Sequence, residues 1–470
     1  MDSSDNSVTA GFLAKYYAAR NTYGTYRSFA GSATYTLPAK FSNETQLISL
    51  LKFAVSKTIT RHPALCFGLV PKSDTSDAHF ARLPHINWED VFELKSIKTS
   101  IEERNATLEK EIGIVHEHLW TDQTQKPGWK LVAIKYDTLV ESSKSTIDVI
   151  IPVHHGIADG GSVRVLHKSL FQYLAEGTES LDMNSTWPHL IPPTTAIPIP
   201  IEVAVPFPKT SKPTTSTTPP TPQPWAGNSP RLDPYVPRTH LLILPADSLS
   251  TALSACRSRK ITMTSLLHAL FLLYLSKTIS SAEAFSATTP YSMRRFSGVS
   301  DDEMVNHIAF IVTQWKSSLV DSLRAAEEDS DEEKMVIQEV SQQFTEEITS
   351  DLAGIPTVHS AGLIGFATIP DYDAYCQVGL KKTRIDETYE ISNIGLVKLP
   401  NNGDGDDKVK LEKLVFSQSP SVTGPAFEAS VISISEGPMV VAYTWQEDVI
   451  GEDVVKGLAA YVQRRLETFG

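Results

Sequence analysis

Residues 145–177, STIDVIIPVHHGIADGGSVRVLHKSLFQYLAEG, constrain the fold more than any other stretch of the chain. The opening segment, 145–155, is rich in Ile and Val, whose branched Cβ atoms pack well on a pleated surface, so it reads as a strand. From residue 162 apolar positions recur at helical spacing up to Gly177, which reads as the residue just past a helix end. Between them lies a turn containing Gly156, Gly160 and Gly161, residues that permit backbone shapes and close approaches closed to others. A strand, a tight turn and a helix in that order require a sheet with helices packed on it, and they leave the turn beside a cleft.

The turn carries His154, His155 and Asp159. Successive strand residues face opposite sides, so the two imidazoles cannot both meet one substrate; one is available for chemistry and the other for packing. An imidazole with one ring nitrogen held by a carbonyl offers the other as a base near neutral pH. Asp159 can accept an arginine or hold the loop in shape. Adjacent histidines at a strand end can also be packing alone, and a metal site on His154, His155 and Asp159 would need further ligands at suitable spacing. The segment HEH at 116–118 does not supply them, because residues two apart on a helix point away from each other. No GxSxG elbow for an activated serine occurs in the chain.

Elsewhere, helical spacing covers 45–58, 99–120, 262–278 and 451–468. Strand-like runs fall at the end of 61–70 and at 128–137, 240–249, 283–296, 307–315, 408–419 and 428–445, with NNGDGDD at 401–407 as a hairpin turn. About half of the 29 prolines lie in 187–238 among many Thr and Ser, the composition of an extended connection. The division that follows is a first lobe over 1–190, a proline-rich crossover over 191–238 and a second lobe over 239–470. The elements mix without strict βαβ alternation, so each lobe is expected to be α+β around a mixed sheet.

A net charge of −13 excludes an extended nucleic-acid surface, which needs clustered Lys and Arg. The acidic run Glu327 to Glu333 reads as a solvated helix end or loop. Cys66, Cys256 and Cys376 are odd in number and widely spaced, as in a reducing compartment. The polar N-terminus lacks a signal-peptide pattern, and LLHALFLLYL at 266–275 is too short to span a bilayer, so a soluble cytoplasmic protein with no membrane partner is expected.

HHGIADG at 154–160 resembles the HHxxxDG motif of the CoA-dependent acyltransferase superfamily, whose members include alcohol acetyltransferases, BAHD acyltransferases and peptide-synthetase condensation domains. With 13 histidines and 24 glycines in 470 residues, the motif would arise by chance roughly 0.001 times, so the match is specific. RHPAL at 61–65, the proline-rich crossover and the order of elements resemble the alcohol acetyltransferase branch; the DFGWG string of BAHD enzymes is absent.

The resemblance implies two chloramphenicol-acetyltransferase-like lobes with a channel between them, working as a monomer. It implies His155 as general base, with Gly160 beside it in the catalytic motif keeping the channel open and His154 in support by packing. Asp159 becomes structural, paired with an arginine of TPYSMRRF at 289–296: Arg294 first, Arg295 second. Oxyanion or channel candidates are Ser417, Ser419 and Thr423 in FSQSPSVTG, with Ser392 and Asn393 in ISNIG. No metal and no permanently bound cofactor are implied; acyl-CoA, acetyl-CoA first, is the co-substrate and a small-molecule alcohol of secondary metabolism the acceptor. A condensation-like or cyclising catalyst and a non-catalytic small-molecule binder remain open alternatives on the same fold.

Overall fold

The computed structural model describes residues 7–137, 144–180, 183–205, 222–354, 365–382, 387–399, 405 and 408–469. Its principal strands are β1 (Phe29–Pro38), β2 (Phe92–Lys98), β3 (Leu131–Asp137), β4 (Lys144–Val153), β5 (Pro237–Leu244), β6 (Phe285–Ser292), β7 (Ile308–Trp315), β8 (Tyr389–Val397), β9 (Lys410–Gln418), β10 (Phe427–Ile434) and β11 (Met439–Gln446). The principal helices are α1 (Phe12–Thr22), α2 (Glu44–Arg61), α3 (Arg104–His116), α4 (Gly160–Glu179), α5 (Ala246–Ser258), α6 (Met263–Thr278), α7 (Asp331–Gly354), α8 (Tyr372–Lys381) and α9 (Glu452–Thr468). Two mixed sheets organise them, in the orders β9-β1-β4-β3-β2 and β5-β11-β10-β8-β6-β7. Each has its own apolar core, as the α+β expectation requires.

Local sequence explains the layers. Strand β1, FAGSATYTLP, is buried along its whole length, and its small residues let a helix lie close. A Cβ on Gly31 would stand 2.8 Å from the His167 and Val163 side chains of α4. Helix α6 is apolar on nearly every side because it is the centre of the second core; Leu266 to Leu273 are fully buried. Its start is fixed by a capping box, with Thr262 Oγ1 accepting from Ser265 N–H at 3.1 Å and Ser265 Oγ accepting from Thr262 N–H at 3.0 Å.

Several sequence expectations shift. Within the run 99–120 only Arg104–His116 is helical, after a turn that follows β2, and the strand at 240–249 stops at Leu244, where Pro245 opens α5. The run 283–296 leaves the sheet after Ser292, and 428–445 is a hairpin of β10 and β11. Gly177 lies inside α4 rather than beyond it: a Cβ there would meet Leu50 at 2.6 Å, so the glycine lets α4 press on α2. The run Glu327 to Glu333 is not wholly solvated, because Glu333 is buried and bridges both guanidinium nitrogens of Arg465 at 2.8 and 2.9 Å. Residues 206–221 of the crossover, and 401–407 apart from Gly405, lie outside the described residues.

Residues 239–470 do not stay within one lobe. Strand β9 crosses to the first sheet and pairs antiparallel with β1, from Lys410 opposite Thr36 to Gln418 opposite Phe29. It covers the edge of β1, which would otherwise present a row of unpaired backbone groups.

Candidate active site

Strand β4 ends at Val153, opposite Phe29 of β1, and the chain turns through residues 154–159 before α4 begins at Gly160. Asp159 caps α4, accepting from Ser162 N–H and Ser162 O–H at 3.0 Å each. The same carboxylate takes a two-pronged contact from Arg294, 2.8 Å from Nη1 and 2.9 Å from Nη2, and a second backbone bond from His307 N–H at 3.0 Å. Burial alone would raise the carboxyl's pKa, but Arg294 and these donors hold it below the usual range. Gly161 makes room for the pair, since a Cβ there would stand 2.8 Å from Arg294 Nη1. A Cβ on Gly160 would likewise strike the Phe416 ring at 2.8 Å, so β9 rests directly on the start of α4.

The two histidines have different surroundings. His154 Nδ1 accepts from Gly156 N–H at 2.9 Å, which ties the ring into the turn, and burial pushes its pKa down to about 3. The His155 ring lies parallel to Tyr17 at 3.9 Å, with the edges of Phe29 and Tyr26 at 5.1 and 5.7 Å. Its Nδ1 is buried without a hydrogen-bond partner. Burial pushes its pKa down to about 4, while the nearby His155 carbonyl and Asp159 charge act in the opposite sense. The imidazole is therefore neutral at neutral pH, the form that accepts a proton.

The other sequence candidates scatter. Arg295 is exposed and packs its guanidinium over Phe296, so Arg294 alone meets Asp159. The Ser417 hydroxyl is bound to His116 Nε2 at 2.9 Å, and His116 Nδ1 to Ser28 at 3.0 Å, a buried structural chain. Ser419 Oγ accepts from the backbone N–H groups of Arg27 and Ser28 at 2.9 and 3.1 Å. Both serines are fully buried, Ser417 bonded to His116 and Ser419 taking two backbone bonds on its oxygen. Asn393 donates to Thr264 Oγ1 at 3.1 Å and accepts from Gly395 N–H at 2.9 Å. Ser392 is buried on β8 opposite Ser430, and Thr423 lies against Gly379 of α8.

Sequence reading missed most of the loop's neighbours. Helix α1 supplies Tyr17 and Arg20; the guanidinium packs over the Tyr16, Tyr17 and Tyr26 rings at 5.3, 5.9 and 4.7 Å and donates to Ser421 Oγ at 2.6 Å. Residues 305–307 clamp the loop at consecutive positions. The Val305 carbonyl accepts from Asp159 N–H at 3.1 Å, Asn306 Nδ2 donates to the His155 carbonyl at 2.6 Å, and His307 donates to Asp159. Among the described residues, no group of three His, Cys, Asp or Glu side chains is arranged to hold a metal ion.

Residues 230–458 match the family model described as alcohol acetyltransferase. The chain is 23% identical to the probable alcohol acetyltransferase crmB of Aspergillus fumigatus, over 98% of this chain and 100% of that protein. It is 22% identical to the probable alcohol acetyltransferase FCK4 of Fusarium pseudograminearum, over 94% of this chain and 91% of that protein. In fold it resembles TRI3 trichothecene 15-O-acetyltransferase from Fusarium sporotrichioides, with a TM-score of 0.73 at 13% identity, covering 100% of this chain and 96% of that one. A condensation domain of the CDA synthetase follows at a TM-score of 0.57 and 12% identity, covering 100% and 97%. The chain is an acyltransferase by its likeness to alcohol acetyltransferases in sequence and to TRI3 in fold. It aligns with the probable alcohol acetyltransferase crmB over nearly the whole of both chains.

Proposed function

We propose that the protein transfers an acyl group, acetyl first, from CoA to a hydroxyl of a small-molecule alcohol of secondary metabolism, with His155 as the general base. The observation that carries this reading is a neutral, buried imidazole with a free ring nitrogen, stacked on Tyr17 in a loop braced by the Asp159–Arg294 pair. The hydroxyl gives its proton to the imidazole as its oxygen attacks the thioester carbonyl. The tetrahedral intermediate then breaks its C–S bond, and the departing thiolate takes the proton back from the imidazolium. Ester and free CoA result, with nothing left on the protein.

Asp159 keeps its charge throughout and takes no proton, since Arg294 and three further donors fill its oxygens. It sets the position of the loop and lends the imidazolium a favourable field. The test is thiol release from acetyl-CoA over a panel of alcohols. His155→Ala is expected to lose at least about 100-fold in kcat with an unchanged near-UV circular dichroism spectrum; full activity in that variant would overturn the assignment. Turnover with a carrier-bound acyl group, and none with free acyl-CoA, would move the protein to the condensation side.

A further inference from the structure

A narrow apolar cleft opens against the catalytic loop, between the start of α1, the residues after His155 and the chain that follows the first lobe. Leu13, Phe67, Phe80, Ile157, Ile197 and Ile199 give it hydrocarbon walls, and two polar side chains, Glu202 and Asn306, complete the lining. Each of the two commits one polar atom to backbone. Glu202 Oε1 accepts from Phe12 N–H at 2.8 Å, at the start of α1. Gly11 allows that approach, because a Cβ there would stand 2.7 Å from Oε1. Asn306 Nδ2 donates to the His155 carbonyl at 2.6 Å. A carbonyl can only accept, so this bond sets the amide's orientation and leaves Oδ1 as the uncommitted atom.

Glu202 Oε2 and Asn306 Oδ1 are both withdrawn from solvent, and neither has a hydrogen-bond partner. Buried acceptors left unmet are rare because they forgo hydration without replacement. Both unmet atoms are acceptors, one of them a carboxylate oxygen, so the group that satisfies them must donate protons and must not be an anion. The walls ask for hydrocarbon beside that donor.

We propose that this cleft is a binding subsite for the acyl acceptor, taking an apolar portion that bears a second hydroxyl, whose one proton is shared between Asn306 Oδ1 and Glu202 Oε2, or an amine, whose protons are divided between them. The proposal rests on the acyl-transfer reading above and narrows its substrate to alcohols with a further hydrogen-bond donor. Asn306 is then a positioning residue as well, because the same amide that meets the acceptor holds the backbone of His155.

Decanediol and decanol form a matched pair of probes with the same chain and different donor counts. With acetyl-CoA as donor, the wild-type protein is expected to prefer the diol in kcat/KM per hydroxyl by roughly three- to tenfold, the worth of one net hydrogen bond. Asn306→Ala and Glu202→Gln are expected to erase that preference while the KM for acetyl-CoA stays put. Glu202→Gln keeps an oxygen for Phe12 N–H and turns the uncommitted atom from acceptor to donor, so it carries the test if Asn306→Ala does not fold. Equal rates on the two probes in the wild type would overturn the proposal. So would a preference that survives both substitutions while the KM for acetyl-CoA rises, since the donor would then be an amide of the pantetheine arm. If no alcohol is turned over, acyl transfer itself fails. The cleft is still decided by thermal denaturation, where the diol must raise the wild-type midpoint more than decanol does and must lose that advantage in Glu202→Gln.

Discussion

Replacing Arg294 with Met removes one charge from a pair that has almost no access to water: Asp159 is 0% and Arg294 2% exposed. The carboxylate would keep Ser162 N–H and O–H and His307 N–H but lose its cation and two charged donors. Breaking a buried pair from one side costs about 3–5 kcal/mol. Asp159→Asn strands the guanidinium instead and should cost a similar amount, since asparagine still serves as a helix cap for α4. The double variant Asp159→Asn/Arg294→Met removes both charges, so it should fall short of the summed single losses by about 2 kcal/mol or more. Urea unfolding followed by near-UV circular dichroism reads all three. The single-variant deficit should also narrow on acidification. In wild type Arg294 holds the Asp159 carboxyl low, whereas without it burial pushes the carboxyl up, so the variant's stranded charge is neutralised at a higher pH. Thiol release should fall more than about tenfold in Arg294→Met through displacement of the loop. A loss below about 1 kcal/mol in Arg294→Met, or strictly additive single losses, would refute the pairing argument.

Three further outcomes follow from the same geometry. Tyr17→Ala should lower kcat about fivefold and Tyr17→Phe leave it near wild type, because the stacked ring rather than the hydroxyl meets His155, an interaction of about 1 kcal/mol; steady-state kinetics on both variants decides. Ser417→Ala should cost about 1–2 kcal/mol in unfolding and change thiol release less than about twofold, whereas an oxyanion donor would cost about 100-fold or more. His62, His116, His154, His155, His167 and His268 are buried, with pKa values pushed down to about 3 or 4. The unfolded chain binds these protons near pH 6.5, so stability is lost as pH falls from there towards 4, by about 2 kcal/mol per histidine at pH 5. Glu390 and Glu428, pushed up by burial, offset part of that loss. Near-UV circular dichroism during acid titration should show unfolding above pH 4, and a native spectrum there would contradict the assigned burial.

The architecture of the loop was legible in the sequence because its parts are neighbours along the chain. Strand, turn and helix each follow from a local pattern, and the glycines announce the close approaches that Arg294 and Phe416 make. Pairing within the first sheet was not legible. Strand β9 reaches β1 from hundreds of residues away, and nothing in its alternation distinguishes that edge from one in the second sheet. Helix α1 escaped because FLAKYYAARNT is covered by the first core, the cleft and α8 on different sides, so its apolar residues form no single stripe. With it went Tyr17 and Arg20. The clamp at 305–307 escaped for another reason: two of its three bonds to the loop use backbone groups, which every residue possesses.

That distribution of partners bears on how His155 can work. An imidazole at about 4 is always ready to accept a proton at neutral pH, yet it accepts it less willingly than a free imidazole, by roughly 3 kcal/mol. Something must favour the imidazolium as the hydroxyl proton arrives. Asp159 supplies less than its charge suggests, because Arg294 sits on both its oxygens and the two fields largely cancel at a distance. Arg20 opposes the charge outright. What lies against the ring is Tyr17, parallel at 3.9 Å, and an aromatic face attracts a cation more than a neutral ring. The attacking oxygen and the expelled thiolate bring negative charge of their own to the same place. On the proposed mechanism His155 is a base held weak by burial and strengthened by the charges the reaction brings, a division of labour that depends on a helix the motif does not include.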